Sequence, residues 1–110
     1  MSMTNAKFKL FVLSLEDIFA SLYLRDVGSM TGKQKLEHQK FLNAAYIAML
    51  RAQNQELTNL NEQAKAKAAI LAEATLAMQK QLVGLKKVSQ VLEIVGQGLN
   101  ILTSVATLFA

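Results

Sequence analysis

The fold of this chain is decided by its C-terminal half, residues 57–110, which reads LTNLNEQAKAKAAILAEATLAMQKQLVGLKKVSQVLEIVGQGLNILTSVATLFA. Apolar residues recur there at alternating intervals of three and four, and no proline interrupts them. A seven-residue apolar repeat forms a stripe along a helix, and that stripe must pack against another helix. The stripe predicts a self-association seam at Leu57, Leu60, Leu71, Met78, Leu85, Val88, Leu92, Val95, Leu99 and Leu102.

A shorter amphipathic helix is predicted before this region, over residues 5–26. Its apolar side chains recur at helical spacing, and Leu10, Leu13 and Leu24 widen the apolar face.

A turn is predicted at residues 27–32, where two glycines stand with serine and threonine. Gly28 is the expected C-terminal cap of the first helix, and Thr31 or Gly32 is the expected start of the next one.

A long helical region is predicted from residue 33 to residue 110, because nothing there forces a helix to stop. A continuous helix of that length would span about 115 Å and would need a partner along its length. Three places are candidates for a break: residues 54–61, which are rich in Asn, Gln and Thr, Gly84, and the pair Gly96 and Gly98. We expect at least one bend, first of all at residues 54–61, which would give a three-helix bundle.

These patterns together predict an all-α fold, a helical hairpin in one domain of residues 1–110. Hydrophobic residues make up 52% of the chain and charged residues 18%, which is more apolar surface than a small monomer readily buries. We therefore expect oligomerisation to complete the fold. The partner is expected to be a second copy, with lipid or another helical protein as alternatives. The apolar segments 8–24 and 88–109 are expected to pack on each other or on neighbouring copies.

The C-terminal end has two interpretations, because no charge appears from Ile94 onwards. As a membrane span it is short, about 25 Å against about 30 Å of hydrocarbon, so packing in a core is preferred. A basic cluster precedes it at Lys80, Lys86 and Lys87. These lysines suit either a solvated helix surface or an anchor at anionic headgroups.

A narrow polar stripe also follows the last part of the chain. It suits a water-facing edge or the lining of a pore. Its members are Gln90, Glu93, Gln97, Asn100, Ser104 and Thr107.

Catalytic signals are weak. His38 is the single histidine of the chain, and we expect it to be solvated on a polar helix face. Glu16 and Asp17 are adjacent, so on a helix they point about 100° apart and do not form a facing acid–base pair. The sequence Gly96-Gln97-Gly98 has no preceding strand and no third glycine, so it predicts a joint or a close helix contact rather than a phosphate loop. We expect no enzymatic activity, no metal and no cofactor.

The net charge of +4 is mild, and no arginine stripe or interleaved aromatics accompany it, so nucleic-acid binding is not expected. The apolar run 10–15 is cut short by Glu16 and Asp17, so no cleavable signal peptide is expected. We expect a cytoplasmic or membrane-associated location. The functional prediction is a non-enzymatic, self-associating structural or scaffold subunit. The alternative is a small membrane-inserting or pore-forming protein that uses its uncharged C-terminal helix.

Overall fold

The computed structural model describes residues 3–110, and 81% of these residues are helical, 3-10 turns included. Five α-helices occur in this range, and two short 3-10 turns, Val27–Ser29 and Leu57–Asn59, lie between them. Residues 3–110 contain no β-strand, so the all-α prediction is confirmed. The helices are α1 (Asn5–Tyr23), α2 (Gly32–Gln53), α3 (Glu62–Leu82), α4 (Val88–Gln97) and α5 (Leu99–Leu108).

The first helix packs against both α2 and α3. The Leu22 carbonyl, near the end of α1, contacts His38, near the start of α2, so these two helices run in opposite directions. Asp17 of α1 lies level with Gln79 of α3, and the ends of the two helices also meet, so α1 and α3 run parallel. The bundle therefore has one end at which α1 and α3 finish and α2 begins.

Helices α4 and α5 form one bent unit that packs against α2 and α3. Arg51, near the end of α2, donates a hydrogen bond to the carbonyl of Ala106, near the end of α5, over 2.8 Å. The two helices meet at an angle of 51° at Gly98. They close the bundle on the side opposite α1.

The long helical region is interrupted at all three places named as candidates for a break. Between α2 and α3, the side chain of Asn61 accepts a hydrogen bond from the Ala64 amide and starts α3 anew. After α3, Gly84 has a φ of 78°, a backbone conformation that favours glycine. The expectation of at least one bend is confirmed. The region from residue 33 onwards forms four helices, so the expected three-helix bundle is corrected to five helices among residues 3–110.

The first helix ends at Tyr23 rather than at residue 26. Its C-terminal cap is Leu24, so the prediction that Gly28 caps it is wrong. The reason is that Arg25 folds back to donate from Nε to the Ser21 carbonyl, while the Asp26 carboxylate accepts from the Gly28 amide and starts the 3-10 turn. The Thr31 prediction is confirmed, because Thr31 caps α2 reciprocally with Gln34.

The core draws side chains from all five helices. At one end the rings of Phe8, Phe11 and Phe109 lie about 6 Å apart, which joins α1 to the C-terminus. The prediction that the two apolar segments pack on each other is confirmed at these rings.

Candidate functional site

His38 is buried, and its prediction as a solvated residue is wrong. Its side chain is 6% exposed, and its Nε2 atom lies 2.6 Å from the carbonyl oxygen of Leu22. Because a carbonyl oxygen can only accept, Nε2 carries the proton in this contact. The same carbonyl accepts from the Arg25 amide over 3.3 Å, so His38 is its second donor and joins α2 to the end of α1. The polar residues around His38 in the sequence indicated a solvated position, because its contact with Leu22 arises only when α1 packs on α2.

The two adjacent carboxylates bind different helices. Glu16 accepts a hydrogen bond from Gln53 of α2 over 2.7 Å, and Asp17 accepts one from Gln79 of α3 over 3.4 Å. The prediction that they do not face each other is confirmed. Among residues 3–110, no three His, Cys, Asp or Glu side chains are grouped closely enough to hold a metal ion.

The predicted seam lies against the core of this single chain. Met78, Leu92, Val95 and Leu102 are buried, and the other six members are half-buried against them. The breaks before and after α3 and at Gly98 divide the seam, so its residues lie on α3, α4 and α5 and in the connections before and after α3. Packing within the chain therefore accounts for the seven-residue repeat without a second copy. The six half-buried members are Leu57, Leu60, Leu71, Leu85, Val88 and Leu99.

The basic cluster and the polar stripe both lie on the surface. Lys80, Lys86 and Lys87 are exposed around the turn between α3 and α4. The stripe follows the outside of α4 and α5, and each of its members is exposed: Gln90, Glu93, Gln97, Asn100, Ser104 and Thr107.

Gly96 and Gly98 make close helix contacts, as one of the two interpretations of this glycine pair predicts. A Cβ on Gly96 would lie 3.2 Å from the ring of Phe41, and a Cβ on Gly98 would collide with the end of Met78. The pair therefore serves packing at the bend between α4 and α5.

An apolar surface groove lies between α1 and α3. Because α3 is rich in alanine, its short side chains fill little space next to α1, and a groove of about 200 Å³ opens there. Leu10 and Leu76 form part of the wall, and Lys7 and Glu73 are the charged residues that line it. Exposed Leu10, at 55%, therefore projects beside a depression rather than from a flat surface.

We define the α1–α3 face as the outer sides of these two helices around the groove. Leu13 of α1 is 44% exposed, and Ile70 of α3, which borders the depression between α3 and α5, is 69% exposed. The face comprises Lys7, Leu10, Leu13 and Asp17 of α1 and Ala69, Ile70, Glu73, Leu76 and Lys80 of α3.

The charges of the α1–α3 face alternate along it. Because Asp17 is level with residue 79, Lys7 and Glu73 lie towards one end and Asp17 and Lys80 lie further along. The one ion pair among residues 3–110 joins Lys65 to Glu62 at 3.5 Å, so these four charges form no ion pair within the chain. Lys7 lies about one turn before the level of Glu73, and Asp17 lies about level with Lys80, and neither pair is an ion pair within the chain.

The sequence contained part of the signal for this face. Leu10 and Leu13 widen the apolar side of α1 in the sequence, and both are exposed. The groove itself was not predicted, because it depends on α3 lying parallel to α1, which sequence periodicity does not specify.

Comparison of the chain with protein-family models, curated proteins and solved structures found no match. Among residues 3–110, no single helix has both the length and the apolar character to cross a bilayer. The pair α4 and α5 reaches that length and composition only when taken together across its 51° bend.

Proposed function

We propose that this protein is a non-enzymatic helical subunit that self-associates through the α1–α3 face. The observation that carries the proposal is the apolar groove between α1 and α3, with Leu10 exposed in its wall and with Leu13 and Ile70 exposed on the same two helices. Contiguous exposed apolar surface of this kind is typical of interaction sites in small proteins.

The charge pattern of the face favours a second copy as its occupant. In a two-fold dimer with parallel helices, α1 of one copy lies on α3 of the other. Lys7 then approaches Glu73 of the partner subunit, and Asp17 approaches Lys80 of the partner subunit. Opposite charges meet at both levels, which gives the pairing its register and direction.

The size of the face also suits a dimer. The molecule measures 44 × 24 × 19 Å, and the two helices run along its long dimension. A face of these dimensions offers roughly the 800 Å² per partner that a stable interface buries.

Sedimentation equilibrium of the full chain in detergent-free buffer tests the proposal. We expect a dimer of two 12.1 kDa chains, over a wide range of protein concentration. Leu10→Asp should shift the equilibrium towards monomer by about a hundredfold, because it would bury an unpaired carboxylate in the interface.

Leu24→Asp is the matched control, because Leu24 is also an exposed leucine of α1's apolar side, but lies at the far end of the bundle. It should leave the dimer unchanged. A wild-type chain that remains monomeric at every concentration, or equal effects of the two variants, would contradict the α1–α3 interface.

Membrane insertion of α4 and α5 is a second candidate. It is favoured by the length and composition of that pair and by the absence of charge after Glu93. Insertion requires α4 and α5 to leave the core, where Val91 and Val105 are fully buried. It predicts release of a dye trapped in anionic vesicles, and vesicles that stay intact with protein bound would contradict it.

A further inference from the structure

The end of the bundle at which α1 and α3 finish forms a second surface, distinct from the groove between α1 and α3. Two connections meet there, residues 24–31 after α1 and residues 83–87 after α3. Arg25 joins them, because its Nε donates to the Ser21 carbonyl over 2.8 Å and its Nη2 donates to the Leu85 carbonyl over 2.9 Å. The two connections therefore form one surface rather than two independent loops.

This end holds the positive charge of the chain. Residues 23–40 and 80–87 contain seven lysines and arginines against two acidic residues, a net charge of +5. The rest of the chain contains five basic and six acidic residues, a net charge of −1. We call residues 23–40 and 80–87 the basic end. All six of its lysines are exposed: Lys33, Lys35, Lys40, Lys80, Lys86 and Lys87.

Large aliphatic side chains project from the same end. Leu24 is 78% exposed, Leu36 72% and Val83 68%. Leu24 and Val83 border one shallow depression, so they are neighbours across the two connections. They stand on a turn and at helix ends, where they project outwards instead of lining a deep groove.

We propose that the basic end docks this protein on the surface of an anionic lipid bilayer. Leu24 and Val83 enter the boundary between headgroups and acyl chains, and the surrounding lysines attract the anionic headgroups. The bundle stays closed in this mode, so docking is distinct from insertion of α4 and α5. It uses residues outside the apolar part of the α1–α3 face and stands independently of self-association.

The residue types favour a bilayer over a nucleic acid. Projecting aliphatic side chains gain nothing on a phosphate backbone, but they gain burial in a bilayer. The single arginine of the basic end, Arg25, is engaged with backbone carbonyls, and the free cations are lysines. Lysines next to exposed leucine and valine are the usual composition of a membrane-binding surface.

Flotation of the full chain with vesicles tests this proposal. Vesicles of phosphatidylcholine with phosphatidylglycerol should carry the protein, vesicles of pure phosphatidylcholine should carry much less, and added salt should release it. The double variants Lys86→Gln/Lys87→Gln and Leu24→Ser/Val83→Ser should each weaken binding by at least about tenfold.

Two matched controls separate position from composition. Lys9→Gln/Lys67→Gln removes the same charge from exposed lysines near the opposite end, and Ile47→Ser removes an exposed aliphatic side chain from the middle of α2. Both should bind vesicles as the wild type does. Circular dichroism confirms that each variant is folded.

Three results would overturn the proposal. The first is that the folded wild type fails to float with anionic vesicles at low salt. The second is that the control variants lose as much binding as the variants of the basic end. The third is that a DNA duplex, tested in the same buffer, binds the protein while the vesicles do not.

Discussion

The side chain of Met78 occupies the space beside Gly98 that any side chain at residue 98 would need. A Cβ added to Gly98 would collide with Cε of Met78 and would lie 3.0 Å from its sulfur. This contact lets α3 pack closely on the bend between α4 and α5. The glycine is therefore a packing requirement of the bundle.

Gly98→Ala should lower the free energy of unfolding by about 1–3 kcal/mol, because the added methyl group overpacks the contact with Met78. Urea denaturation followed by circular dichroism measures the change. Gly32→Ala is the control, since a Cβ there would meet no atom within 4 Å. It should leave stability unchanged or raise it by up to about 1 kcal/mol. Equal stability of the two variants would show that the Met78 contact is not tight.

Thr75→Val should stabilise the protein by about 1 kcal/mol. Thr75 is fully buried in α3, and within residues 3–110 its hydroxyl has no hydrogen-bond partner. Valine keeps the shape and removes the desolvated hydroxyl. The exposed Thr107, whose hydroxyl donates to the Thr103 carbonyl, supplies the control variant Thr107→Val, with an expected change within about 0.5 kcal/mol. A loss of stability in Thr75→Val would mean that the hydroxyl has a partner in solution.

His38→Phe should destabilise the protein by about 1–3 kcal/mol. The ring is replaced by one of similar size, but the hydrogen bond to the buried carbonyl of Leu22 is lost. His38→Gln restores a donor and should recover part of the loss. Thermal unfolding compares the variants, and Gln39→Ala, on the exposed side of α2, should behave as the wild type. If phenylalanine is tolerated fully, the 2.6 Å contact contributes nothing to stability.

Charge exchange tests the register of the proposed dimer. Lys7→Glu or Glu73→Lys alone should weaken self-association by about tenfold, because each places like charges together twice across the two-fold axis. The double variant restores opposite charges and should associate as the wild type does. Sedimentation equilibrium reads out all three. Additive weakening in the double variant would contradict a parallel arrangement of the two copies.

Much of the secondary structure follows from local chemistry. The Thr31 cap, the Asn61 restart and the turn at Gly84 each depend on atoms within a few residues, so the breaks of the long helical region could be read from the printed residues. The same local reasoning overextended α1 by three residues. Its end depends on Arg25, whose contacts with residues 85 and 86 lie sixty positions away.

The sequence does not predict which helix packs against each apolar stripe. The heptad spacing showed that Leu92 and Leu102 must be covered, but a buried leucine does not record which helix covers it. The packing of α4 and α5 against α2 and α3 assigned that role to the chain itself. The packing of α1 on α2 and α3 buried His38, opened the groove beside α3 and left Leu10 and Leu24 exposed. Helix positions and caps depend on contacts within one turn, so the sequence determines them. Which helices become neighbours depends on how five helices share one core, so only the tertiary structure decides it. That packing placed the residues of the α1–α3 face and of the basic end.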